Sequence, residues 1–348
     1  MRKLTLVLTI TILQINIVIA QSPQLAVVRP DGTTYICPTW DSAYNKSVDG
    51  DFIYLPGGNF TVTNPISKRL YIYGAGSNLD SSAATSITTI SNITFEHGAD
   101  NGIIEGLKIS QVNSCFVAAI RFGHTINLDP INGYTISNCL MSGGIQFNSV
   151  CNNITIKNNN IGGYNCPNGG ASISIGENIT NSLISNNVIG GNISANGVAN
   201  LQINNNLFTF VADFYSISLP YNCTYSNNIF LSNNVYVANS NFYNNVNVNP
   251  NGTGNQIFNT ASESMTDIFV SPGAGPYYYD VHNDYHIKST SICKSSGSDG
   301  TDRGFYGGTF PWKDGSIPSN PHIYFKQIDA NTTSDGKLKV KFKVRTNQ

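Results

Sequence analysis

The chain has 348 residues, 40% of them hydrophobic and only 11% charged, with a formal net charge of -1. Its length and apolar content suffice for one large domain or two ordinary ones, but charged residues stand at less than half of the usual ~25%. No basic stripe runs through the body to release counterions from phosphates, which sets nucleic acid aside as a partner.

The first element is a predicted secretory signal over residues 1–20. Arg2 and Lys3 precede an apolar run that ends at Val18-Ile19-Ala20, with small residues suited to cleavage after Ala20. Thr5, Thr9, Thr11, Gln14 and Asn16 interrupt the run, which leaves it short of the roughly 20 uninterrupted apolar residues of a membrane anchor. No later segment is long and apolar enough to span a bilayer. The mature chain is therefore expected to be secreted, extracellular or at the cell surface, with no transmembrane segment.

Over residues 21–253 the dominant feature is repetition. About one residue in seven of the chain is Asn, and between Asn132 and Asn259 roughly one in four, far above ordinary usage. An apolar residue, any residue, Asn-Asn and another apolar residue recur as "ISNCL" at Ile136, "IKNNNI" at Ile156, "ISNNVI" at Ile184, "INNNLF" at Ile203, "YSNNIF" at Tyr225 and "FYNNV" at Phe242. The steps are 20, 28, 19, 22 and 17 residues, the signature of a solenoid with one repeat per coil. A second row alternates with the first: "AIRFG" at Ala119, "GIQFN" at Gly144, "SISIG" at Ser172, "SISLP" at Ser216 and "NVYVA" at Asn234. Such apolar-x-apolar triplets are strands, not helices. The expected fold is all-β, a single-stranded right-handed parallel β-helix with its N-terminal cap.

Asn and Gly tolerate the positive φ that a sharp corner between strands requires. Stacked coils lie about 4.8 Å apart, so equivalent amides can hydrogen-bond along the stack. Asn138, Asn158, Asn186, Asn205, Asn227 and Asn244 are the expected ladder. Inward positions are expected at Leu107/Ile109, Tyr134/Ile136, Ile154/Ile156, Leu201/Ile203 and Cys223/Tyr225. That places Lys108, Thr135, Thr155, Leu183, Gln202, Thr224 and Asn241 outward on one sheet, and Arg121, Gln146, Ser174, Ser218 and Tyr236 outward on another.

Beyond about Gly254 the repeats fade. Residues 254–318, aromatic and glycine-rich, are expected to cap the open upper end of the coils, whose strand edges would otherwise be unpaired. Residues 319–348 alternate Lys337, Lys339, Lys341, Lys343 and Arg345 with Leu338, Val340, Phe342 and Val344, and turn at Asp335-Gly336. This tail is expected to form a short basic β-hairpin, its cations keeping an edge strand from aggregating or meeting an anionic surface. The seven cysteines are an odd number without zinc-type spacing. Cys139 and Cys223 occupy repeat positions filled elsewhere by small or apolar groups, so buried free thiols are expected; Cys151 with Cys166 is the one local pair.

The segment "GDFIYLPGGNFTVTNPISKRLYIYGAGSN" at Gly50, the Asn-rich coils and "GSDGTDRGFYGGTFPW" at Gly297 resemble secreted right-handed parallel β-helix repeat proteins of Bacteroidota, a pectate-lyase-like superfamily. The resemblance covers nearly the whole mature chain and implies the fold, with the opening segment as a first coil capped at its base. It implies no single chemistry, since that fold hosts lyases, hydrolases, epimerases and non-catalytic surface proteins.

A lyase needs a base, commonly Arg or Lys, and carboxylates that hold calcium against the substrate acid. The coils from Asn132 to Val248 carry hardly any ionisable groups beyond Lys157, Glu177 and Asp213. The remaining catalytic candidates are Lys108, Arg121, Glu105 and His124, although Lys108 and Arg121 are expected on different faces. The ordered motifs of a polygalacturonase-type hydrolase, with its clustered aspartates, are missing. Asp299 and Asp302 on a glycine-rich loop are candidate calcium ligands, or else turn caps. Tyr278, Tyr306 and Trp312 are candidates for a sugar-stacking platform, in competition with a plain hydrophobic lid. The expected function is a secreted, non-catalytic β-helix that binds a polysaccharide or another cell-surface component, with no required cofactor; the alternative is a polysaccharide lyase of unusual site composition acting on an acidic glycan.

Overall fold

The computed structural model describes residues 23–346, apart from positions 80, 111–117, 125–128, 163–170, 197–198, 210–216, 232–233, 259–260 and 274–278. The expected signal, Cys115, Cys166 and Tyr278 lie outside the described residues.

The chain begins with an antiparallel base. Strand Leu25–Val28 pairs with both Thr34–Cys37 and Phe52–Leu55. Between them lies the helix Trp40–Lys46, whose first turn is capped by the Thr39 hydroxyl accepting from Ser42 N at 3.2 Å. Trp40 and Ala43 point from this helix into the main core, and seal its lower end.

Above the base every pairing within the repeats is parallel, and the chain visits three sheets in a fixed order. One passage runs from Ile145–Phe147 in a lateral sheet (sheet C) to Thr155–Lys157 in the long sheet (sheet A), then to Asn160–Ile161 in a third sheet (sheet B). It returns to sheet C at Ala171–Ile175. We call one such passage a tier. Toward the end of the stack, a separate sheet of Ile217–Ser218, Asn234–Tyr236 and Asn249–Asn251 takes the place of sheet C, so the second sequence row divides between two sheets.

The period-two strands turn one side chain in and the next out. Ile104, Ile136, Ile156, Ile184, Ile203, Tyr225 and Phe242 form the inward row of sheet A. They meet Phe122, Phe147 and Ile175 from sheet C and Met141, Ile161, Ile189 and Phe208 from sheet B in one buried cluster. The expected inward residues are all buried. Long parallel stacks filled by one row from each sheet are compatible with a parallel β-helix.

The corners explain the Asn pairs. Asn138, Asn158, Asn186, Asn205, Asn227 and Asn244 adopt φ between 52° and 58°, the left-handed region that Asn tolerates better than most residues. They follow strands that pair in register, so they stand in one column. Their side chains, however, do not make the amide ladder. That role falls to the next residue: Asn159, Asn187, Asn206, Asn228 and Asn245 are each fully buried. The Oδ1 of Asn187, Asn206, Asn228 and Asn245 accepts both the backbone N–H and the Nδ2 of the Asn in the tier below, as in Asn187 to Asn206 at 2.9 and 3.0 Å; Asn159 Oδ1 accepts from Cys139 N at 2.9 Å, and Nδ2 also donates to a core-strand carbonyl such as Ile156 O at 2.9 Å. The cause is geometric: a left-handed corner turns its own side chain out of the tier and directs the following one inward.

Lys108 also departs from expectation. Thr135 pairs with Ile103, not with Lys108, and Lys108 lies on sheet B between Thr89 and Leu140. The corner of this tier is Gly106, at φ +72°, so its Asn signature is missing and the register is displaced. Lys108 and Arg121 do stand on different sheets.

Residues beyond 261 leave the stack's end and cover its side. The outer row of sheet B, Val188, Leu207 and Ile229, joins Val246 in a second core with Met265, Ile268, Phe269, Tyr285, Ile287, Cys293, Phe305 and Trp312. From there the chain runs back along the corner column: Asn227 Nδ2 donates to Ser298 Oγ, Asn205 to Gly304 O, Asn186 to Phe305 O and Gly307 O, and Asn158 to Phe310 O. This strap ends where the Glu105 carboxylate accepts from Ser319 N and Oγ. The segment expected over the end of the stack is thus a lateral layer, because outward amides and an apolar outer row offer it partners there. The tail forms the expected antiparallel hairpin, His322–Ile328 with Val340–Arg345.

Candidate functional site

The four catalytic candidates do not assemble. Glu105 is buried and anchors the strap, also accepting from Asn138 Nδ2 at 2.9 Å, while Lys108 stands on sheet B. Arg121 and His124 do come together, in a shallow cleft of about 360 Å³ on the outer face of sheet C, with Gln146, Asn148, Gly176 and Glu177. The in-register pairing of Arg121 with Gln146 sets that wall. Among the described lining residues Glu177 is the sole carboxylate, where the lyase expectation calls for at least two.

Asp299 and Asp302 are engaged in turns. Asp299 Oδ1 accepts from Thr301 N at 3.0 Å and Thr301 Oγ1 at 2.7 Å; Asp302 accepts from Ser295 N at 2.8 Å and pairs with Lys294 Nζ at 2.9 Å. Among the described residues no three His, Cys, Asp or Glu side chains gather as a metal centre.

The aromatic candidates part company. Trp312 is buried, packed edge-on against Phe305 and Tyr279, and so belongs to the second core. Tyr306 instead lines a cleft of about 380 Å³ where that core meets the lower tiers and the hairpin. Its walls include Asn78 and Ser81 from a turn of the stack, Asp284 and His286, Asp314, and Arg345 from the tail.

Local chemistry positions each group. Strand Asp284–Ile287 pairs antiparallel with Phe269–Ser271; alternation buries Tyr285 and Ile287 and leaves Asp284 and His286 outward. The His286 ring stacks on Tyr306 with centroids 4.3 Å apart at 25°. Its Nδ1 lies 2.8 Å from Asp284 Oδ1 and its Nε2 3.7 Å from Asp314 Oδ2. The Tyr306 hydroxyl donates to Asp314 Oδ1 at 2.7 Å. Burial first, and then that bond, push the Tyr306 phenol far above its ordinary value, so it remains a donor. The backbone N–H of His286, helped by its ring, holds the Asp284 carboxyl below the usual range, so Asp284 remains an acceptor.

Comparison with family models, with curated proteins and with solved structures returns no match for this chain. The site therefore has to be understood from its own chemistry: a flat aromatic pair, two carboxylates and flanking amides at the mouth of a cleft large enough for a sugar ring. Sequence reasoning singled out Tyr306, and Arg345 as one of the tail cations, but missed Asp284, His286, Asp314 and Asn78. The repeated Asp-x-His of "DVHNDYH" at Asp280 was the available signal, since a two-residue spacing on a strand puts both groups on one face.

Proposed function

We propose that this protein is a secreted, non-catalytic right-handed β-helix that binds glycan at the Tyr306–His286 cleft. The observation that carries the reading is the stacked Tyr306–His286 pair flanked by Asp284 and Asp314. An aromatic face packs against the C–H face of a sugar ring, while an ionised carboxylate accepts hydrogen bonds from neighbouring hydroxyls, and such charge-assisted bonds are stronger than neutral ones. The stack of tiers supplies a rigid support, consistent with a matrix or cell-surface role. Among the described residues no helix is long and apolar enough to cross a membrane.

The test is a glycan array probed with the mature protein and with Tyr306→Ala. Retention of a sugar class by the native chain and its loss in the variant support the reading; equal retention by both refutes it. A second reading, a polysaccharide lyase, draws on the convergence of Arg121, His124 and Glu177 in one cleft. It requires unsaturated-product absorbance on a uronate polymer that disappears with Arg121→Ala.

A further inference from the structure

The hairpin carries an uncompensated row of cations. Lys341, Lys343 and Arg345 lie on one face of strand Val340–Arg345, two residues and hence about 6.7 Å apart. Their cross-strand partners are Gln327, Phe325 and His322, none of them a carboxylate. Lys341 and Lys343 hang over the Phe325 ring at 6.0 and 5.5 Å, and Arg345 over Tyr324 at 5.2 Å, so aromatic faces accompany the charges along the strand. Arg345 ends this row and also lines the Tyr306 cleft. The row and the cleft are therefore one continuous surface.

We propose that this surface takes a single linear acidic polysaccharide, one sugar unit held at Tyr306–His286 and the carboxylates or sulfates of adjoining units held along Arg345, Lys343 and Lys341. The inference rests on the glycan-binding reading of the cleft and adds the class of glycan. A row of cations at two-residue intervals along one strand fits a linear polyanion. A membrane would also have to take up the exposed apolar row of Val340, Phe342 and Val344, which with Lys326 stands on the opposite face from Lys341, Lys343 and Arg345, whereas a single polymer chain needs only the one face.

The experiment measures binding of the full chain to soluble polygalacturonate and to its carboxyl-reduced, neutral counterpart, at low and high salt. The native protein is expected to bind the acidic polymer roughly tenfold tighter, with the advantage lost in high salt. Lys341→Glu combined with Lys343→Glu should remove the advantage and leave neutral-polymer binding unchanged, while Tyr306→Ala should weaken both. If the charge-reversed variant keeps the preference, the row is not the site and this inference falls while the cleft reading stands. If Tyr306→Ala changes neither polymer, the cleft reading falls and the shared surface with it. Equal, Lys341- and Lys343-dependent binding of anionic vesicles or single-stranded DNA would overturn the polysaccharide assignment. Circular dichroism of each variant distinguishes lost binding from lost fold.

Discussion

Replacing Asn187 with Ala interrupts the buried amide ladder at its centre. In the native chain Asn187 Oδ1 accepts from Asn159 N at 2.9 Å and Asn159 Nδ2 at 3.1 Å, and its Nδ2 donates to Ile156 O, Ser185 O and Asn206 Oδ1 at 2.9, 3.0 and 3.0 Å. Truncation strands one or two fully buried polar groups at about 1–3 kcal/mol each and opens a void the size of an amide group. We expect a loss of ~3–5 kcal/mol, a large part of a typical 5–15 kcal/mol stability. Urea unfolding followed by circular dichroism measures it, with Asn200→Ala, an exposed Asn of sheet A, as the reference. A stacked-repeat protein need not unfold in one step, so the shift of the first transition is the quantity to compare. If Asn187→Ala shifts that transition no more than Asn200→Ala, the ladder does not hold the tiers together and the argument from buried amides fails.

The strap gives a second expectation: Asn186→Gly keeps the left-handed corner but removes the bonds to Phe305 O and Gly307 O, costing ~1–3 kcal/mol and making residues 298–319 cleavable by limited proteolysis while the tiers stay resistant. The thiols give a third. Burial pushes Cys139 and Cys151 up to about 12 and Cys223 and Cys293 up to about 11 from 9.0, so iodoacetamide at pH 8 should leave all four unmodified in the native protein and alkylate them in denaturant, as mass spectrometry would show. Since the unfolded thiols lose protons near 9 and the folded ones only near 11 to 12, the folded chain holds more protons across that window, and stability should fall as pH rises through it.

The sequence disclosed what is local and periodic. The triplet rows and the Asn corners depend on neighbours two residues away or one tier away, so their spacing survives in the primary order. Two features were hidden by brevity or substitution. The strands of sheet B are as short as Leu207–Phe208 and follow directly on the Asn pair, so they merge with the corner in the pattern; and Gly106 at a corner erased the mark that would have placed Lys108. The lateral layer was hidden for a different reason. Between Gly304 and Phe310 it meets the column through its own backbone carbonyls, which every residue has, so nothing in "GTDRGFYGG" advertises that Asn186 and Asn205 will hold it. The cleft likewise needs Asn78, His286, Tyr306, Asp314 and Arg345, groups far apart in the chain, and only the layer's placement joins them.

The strap also sets a length rule. From Asn227 to Asn158 the column descends three steps of about 4.8 Å each, and the chain from Ser298 to Phe310 must match that height bond for bond. Gaining or losing one tier in this stretch would throw every clasp out of step by a whole storey, so the number of tiers there cannot drift without a compensating change in a distant part of the gene. Lower down the gauge continues through Ser319 on Glu105 and through Gly315 O, which accepts from Ser81 Oγ in the turn of the next tier.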